Sequence, residues 1–356
     1  MKGVDKRSDL SPAYLALGAA LLFGCSTPAS KLLVGYVHPQ LLAGLLYCGS
    51  GLGLIVYRII SAKLFGATNE KALKGSDIPW LTGAIAFGGI IAPLLLLIGL
   101  TTTTGAAASL LLNFEGVFTA LLAWFAFKEH FDRRIMIGML AIILGGVLLS
   151  WVPGAHFGLS LGSLCIIAAA LCWGLDNNFT RNISASDPVQ VAAIKGVIAG
   201  LTNCFFALML GAKLPAMPLI VIASLTGFLG YGISLSLYVK ALRFLGTSRT
   251  GAYFSTAPFA GAFISLLVLK EPLTINFVIA AIFMGIGVWL HLTEKHEHEH
   301  LHEAITHEHP HIHDEHHQHE HGPDDPVGEP HSHLHSHTKM THSHPHFPDI
   351  HHRHDH

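Results

Sequence analysis

The chain has 356 residues, of which 51% are hydrophobic and only 12% charged, with a mean hydropathy of +0.49. Soluble domains carry about 25% charged residues, so the composition argues against a soluble enzyme or a nucleic-acid-binding module and for a body embedded in a bilayer. The formal net charge of −2 averages two unlike parts: residues 1–295 hold 19 Lys and Arg against 11 Asp and Glu, whereas 296–356 hold 2 against 12, together with 23 of the 27 histidines.

Residues 1–12 form a polar N-terminus with Lys2, Lys6 and Arg7 and no small-residue cleavage site, so the first apolar segment is expected to be retained as a helix. Ten apolar runs follow, near 14–34, 40–60, 79–98, 105–127, 135–152, 159–178, 188–210, 218–239, 250–269 and 274–292. Most approach the roughly 20 residues that a helix needs to span the hydrocarbon. With the N-terminus placed in the cytosol, 14 Lys and Arg fall on the cytosolic side; only Lys31, Lys213 and Lys270 fall opposite. This bias predicts a multi-pass protein of the cell membrane with both termini cytosolic. Lys31 ends the first run and is expected to anchor the outer interface.

The fourth run contains Asn113 and Glu115 near its middle. A charge at that depth costs about 2.5–3.5 kcal/mol even on insertion scales, so Glu115 is the leading candidate for binding a cationic group or a coupling proton. The competing role is a neutral acid hydrogen-bonded between helices. In the sixth and seventh runs, Asp176, Asn177 and Asn178 form a polar cluster, and Lys195 can pair with Asp176 or Glu115, or extend toward the interface. Five cysteines lie in apolar runs without metal-ligand spacing and read as small buried hydrophobes. Pairs such as Gly88-Gly89 read as helix-packing positions, and Pro28 and Pro93 as points where helices one and three break.

Two segments recur. FKEHF at 127–131 returns as LKEPL at 269–273, an offset of 142, and FGCSTPASK at 23–31 matches WGLDNNFTR at 173–181, an offset of 150. Two halves of five spans each must insert with opposite orientation, which is a transporter architecture with its site near the midplane. On this alignment Glu115 falls opposite Ala257 and beside Pro258, and Asn113, Glu115, Ser255 and Thr256 are expected to approach one another.

The G-x-x-x-P-A-S-K pattern of the first helix, the fourth-helix stretch AAASLLLNFEGVFTALLAWFAFKEHF and the ninth-helix stretch TGAYFSTAPFAGAFISLLVLKEPLT resemble the EamA-type transporters of the drug/metabolite transporter superfamily. The resemblance covers about residues 13–292. It implies an all-α integral membrane protein of ten transmembrane helices in two inverted repeats, at 13–152 and 153–292, that moves a small solute and needs no cofactor. The chain departs from the pattern at Glu115-Gly116, where many members carry an apolar residue and a proline.

Residues 293–356 lie outside that pattern and are expected to be a disordered cytosolic tail, because they lack the apolar residues for a core. Its His-x-His units offer ligands for zinc, nickel, cobalt or copper at His296, His298, His300, His302, His307, His309, His311, His313, His316, His317, His319, His321, His331, His333, His335 and His337. The functional expectation is a secondary transporter, an exporter of a small polar or cationic solute, with that solute, the lipid bilayer and metal ions as partners and no nucleic acid. The alternatives are a divalent-metal exporter fed by the tail and a membrane-anchored metal-binding or sensing protein.

Overall fold

The computed structural model describes residues 12–65, 72–127, 133–151, 160–183, 186–238, 240–241, 250 and 253–293 of the body, and 297–302, 306–311, 331–336 and 340–345 of the tail. Lys2, Lys6, Arg7, Lys71, Lys128, Glu129, Arg243 and Arg249 lie outside the described residues, as do His296, His313, His316, His317, His319, His321 and His337. The body and the tail are separate compact units, Met1–Glu294 and Lys295–His356.

The described body is helical: α1 (Pro12–Val34), α2 (Pro39–Phe65), α3 (Gly75–Thr102), α4 (Gly105–Leu111 and Phe114–Phe127), α5 (Arg133–Ser150), α6 (Leu161–Arg181), α7 (Pro188–Met209), α8 (Met217–Tyr238), α9 (Ala257–Val268) and α10 (Ile275–Leu292). Among the described residues nine helices are long and apolar enough to cross a membrane, and α9 is shorter at 12 residues. The predicted run at 250–269 is thus interrupted: Ser255 and Thr256 form a turn, and Pro258 enters the first turn of α9, where its missing N–H leaves no bond unmade. Pro28, by contrast, stays inside a continuous α1.

Helix starts are set by side chains. Thr104, Ser160, Asp187 and Thr274 accept backbone N–H bonds at the heads of α4, α6, α7 and α10, satisfying donors that a helix N-terminus leaves open. Side-chain size sorts the faces. α7 turns Ala192, Ala193, Gly196, Ala199, Gly200 and Ala207 inward, while Leu201, Phe205 and Phe206 stay exposed. Lipid is as apolar as leucine, so close packing of small residues rather than escape from water holds such helices together.

The close contacts repeat. A Cβ on Gly24 of α1 would lie 3.2 Å from Cβ of Ala260 on α9, and one on Gly174 of α6 2.9 Å from Cβ of Phe118 on α4; offsets of 150 and 142 relate the two pairs. Gly138 meets Gly287 and Gly145 meets Ala280 between α5 and α10, again related by 142. Two π-helical segments interrupt α3 and α8 at Ile85–Ile91 and Phe228–Ile233; shifting the first by 142 residues gives 227–233.

The tail contains four strands, β1 (Glu297–His302), β2 (Thr306–His311), β3 (His331–Ser336) and β4 (Met340–Pro345), with β1 antiparallel to β4 and β2 to β3. The His-x-His period of two is also the period of a strand.

Candidate functional site

The break in α4 positions Glu115. After Leu111 the chain turns at Leu112 and Asn113, and Glu115 sits in the first turn of the restarted helix, where the helix dipole favours a negative charge. Its Oε1 accepts from Asn177 Nδ2 of α6 at 2.9 Å. The same amide reaches Thr119 Oγ1 at 3.1 Å, and Asn178 Nδ2 donates to the carbonyls of Thr119 and Gly174 at 3.2 and 2.8 Å. Asparagine amides thus join α4 to α6, and Gly174 allows the approach. Glu115 is half-buried, in the middle of a span, and Asn177 is exposed.

One residue before Asn177, Asp176 is buried at 5% exposure and forms an ion pair with Lys195 of α7. Its other oxygen accepts from Thr180 Oγ1 at 3.0 Å. The Asp176 carboxylate lies against Gly88 in the π segment of α3, in the space a side chain there would fill. The Gly88 carbonyl accepts from Tyr47 OH at 2.7 Å and Trp173 Nε1 at 3.1 Å, and Gly89 O from Asn203 Nδ2 at 3.3 Å. A π segment shifts the helical hydrogen-bond register, and here side chains of α2, α6 and α7 take up the carbonyls in that stretch. Glu115 is within electrostatic reach of Asp176, Lys195, Tyr47 and Tyr238. A chain of rings extends from Tyr47 to Tyr231 (5.5 Å between centroids), Phe23 (5.8 Å), Phe254 (5.4 Å) and Tyr238 (4.9 Å). Two carboxylates, one ammonium, amides and aromatic faces can together hold a polar or cationic group and exchange a proton.

The sequence-predicted residues divide. Glu115, Asp176, Asn177 and Lys195 come together, and the pairing of Lys195 left open by the sequence is with Asp176. Asn113 turns elsewhere: its amide donates to Leu110 O at 2.8 Å and lies 4.0 Å from Met284 Sδ of α10. The Thr256 hydroxyl bonds to Tyr253 O at 2.6 Å, and Pro258 starts α9. Lys31 does not serve as a free anchor, since its ammonium donates to Leu100 O and Thr103 O at 2.6 and 2.8 Å. Sequence reasoning missed Thr119, Tyr47, Trp173 and Asn203. The one signal available was the Gly88-Gly89 pair ahead of Pro93.

In the tail, the strand register sets His298 opposite His344, His300 opposite His342, His307 opposite His335, His309 opposite His333 and His311 opposite His331. Among the residues described for such groups, no cluster of three or more His, Cys, Asp or Glu is arranged to hold a metal.

Comparison with known proteins agrees with the helical body. A transporter of Methanothermobacter thermautotrophicus, described as uncharacterized, is 30% identical over 288 residues, which cover 76% of this chain and 83% of that one. A protein of Salmonella typhimurium described as a probable amino-acid metabolite efflux pump is 27% identical over 177 residues, 49% of this chain and 55% of that one. A solved crystal structure at 18% identity superposes with a TM-score of 0.57 over 80% of this chain and 96% of its own, a likeness of fold alone. The model of the EamA-like transporter family matches twice, at residues 10–151 and 160–293. The chain therefore belongs to the EamA-like transporter family and is a multi-pass membrane transporter.

Proposed function

We propose that the chain is a secondary active exporter of a small polar or cationic solute, working by alternating access between two inverted five-helix repeats, with ten spans and both termini cytosolic. The two family matches, the mirrored close contacts and the two π segments 142 residues apart support the repeat. Five spans per half make the second half insert upside down. The excess of Lys and Arg in segments on the side of the N-terminus supports the orientation.

The observation that carries the functional reading is the Glu115–Asn177 bond between α4 and α6, beside the Asp176–Lys195 pair. A carboxylate in mid-span is costly and marks a binding or proton site by default. The Salmonella relative's description places an amino-acid metabolite among the solute classes to test first. The experiment is efflux from membrane vesicles with a panel of amines and amino acids over a range of pH. Glu115→Gln keeps the hydrogen-bonding shape and removes the charge, so flux should fall and its pH dependence flatten. Unchanged rate and pH profile would remove Glu115 from the mechanism.

A second reading is divalent-metal export with the tail as a loading device. The cross-strand histidine pairs support it, because they set imidazoles of zinc-, nickel-, cobalt- or copper-binding type at facing register positions. Deletion of 296–356 should then lower resistance of cells to one of these metals. A tail-less protein that protects as well as the full chain would leave the tail without a transport role.

A further inference from the structure

Cys48 of α2 and Cys204 of α7 are 156 residues apart, and nothing in their spacing suggests a pair. The fold brings them together. A Cβ on Gly44 would lie 2.5 Å from Cys204 Sγ, and one on Gly200 2.6 Å from Cys48 Sγ. Gly44 and Gly200 are themselves 156 residues apart, so the two contacts are mirror images at the seam where α2 and α7 cross. Each sulfur rests on the glycine one turn before the other cysteine. Both are free thiols and half-buried.

We propose that Cys48 and Cys204 form a two-coordinate site for a soft monovalent d10 cation, Cu(I) in the cell, which clasps α2 to α7. Two chemical arguments select that ion. Thiolate donors prefer soft metals over hard ones. No third His, Cys, Asp or Glu joins the pair among the described residues, so a tetrahedral zinc site lacks its ligands, whereas two sulfurs suffice for linear coordination. On binding, one thiol releases its proton to solvent and its thiolate neutralises the monovalent ion, while the second sulfur keeps its proton and donates a lone pair. The bound unit is neutral, which suits its place among apolar helices, and nothing is oxidised or reduced. The site does not depend on the identity of the solute.

The test uses reduced, full-length protein in detergent and Ag(I), a redox-inert probe of the same class. Wild type, Cys25→Ser, Cys48→Ser and Cys204→Ser are compared by near-ultraviolet thiolate-to-metal absorption, loss of reactive thiols and thermal unfolding after one equivalent. The histidine tail is common to all four proteins and cancels. Wild type and Cys25→Ser should gain the absorption band, lose two reactive thiols and unfold at a higher temperature. Cys48→Ser and Cys204→Ser should show none of these changes while remaining monodisperse. Equal Ag(I) responses in all four, or no band in wild type, would overturn the site. If either serine variant fails to fold, Cys48→Ala and Cys204→Ala take its place with the same expected loss.

Discussion

At the scale of single residues, Lys195 and Asp176 are the pair in which removing one partner has the steepest consequence. Without the ammonium, a carboxylate 5% exposed would keep only Thr180 as a side-chain donor and would lie against Gly88 with its charge uncompensated. Removing one member of a buried ion pair costs about 3–5 kcal/mol, whereas replacing both by neutral groups is often close to neutral. Lys195→Met should therefore lower the thermal midpoint of detergent-solubilised protein markedly. The double variant Asp176→Asn/Lys195→Met should recover most of that loss, a coupling readable from a double-mutant cycle. Equal destabilisation by the single and double variants would mean the pair adds nothing. Both charges are legible in the sequence, because apolar runs make an isolated Asp or Lys conspicuous. It left their partners open, since pairing depends on the rotation of α6 and α7 about their axes, which is set by small-residue contacts distributed over several helices.

At the scale of elements, hydropathy located the helices but not their irregularities. The run at 105–127 reads as continuous, yet α4 turns at Leu112–Asn113; in the run at 250–269 Pro258 is itself a helix breaker, and the turn falls just before it, at Ser255–Thr256. A hydrogen-bond register leaves little trace in apolar composition, so the π segments of α3 and α8 were also invisible. Their importance can be measured at Gly88. A methyl group there would occupy the space of the Asp176 carboxylate, whereas a Cβ on Gly116 meets no atom within 4 Å. Inserting a group into a packed site costs about 1–3 kcal/mol, while Gly→Ala in an open helix position gains up to about 1 kcal/mol. Gly88→Ala should thus lower thermal stability and efflux together, and Gly116→Ala should preserve stability or raise it. Reversal of that order would show that Asp176 relaxes away from α3 without loss.

At the scale of the whole molecule, the face where α3 passes into α4 is closed by charged groups acting on helix ends. Glu271 Oε1 and Oε2 accept from the backbone N–H groups of Gly105 and Ala106 at 2.6 and 2.8 Å, and Lys31 caps the carbonyls at the end of α3. Lys31 and Glu271 are within electrostatic reach of one another. The cluster joins α1, α3, α4 and the α9–α10 connection, so these elements cannot separate while it is intact. Hydrogen bonds to charged groups contribute about 1.5–3 kcal/mol each, enough to hold one of two nearly balanced states. Lys270, next to Glu271, has a φ of 51°, and a left-handed non-glycine residue costs on the order of 1 kcal/mol. Glu271→Ala should therefore shift the protein toward a form open on this face, which the proposed orientation makes the non-cytosolic one. Ala107 lines the cleft of about 210 Å³ beside Glu271. With the five native cysteines replaced, Ala107→Cys should react faster with a membrane-impermeant thiol reagent when Glu271→Ala is added. Glu271→Gln, which keeps the shape and loses the charge, should fall between. The same labelling rate in all three proteins would mean that the cap only stabilises α4, and that closure of this face is set by helix packing instead.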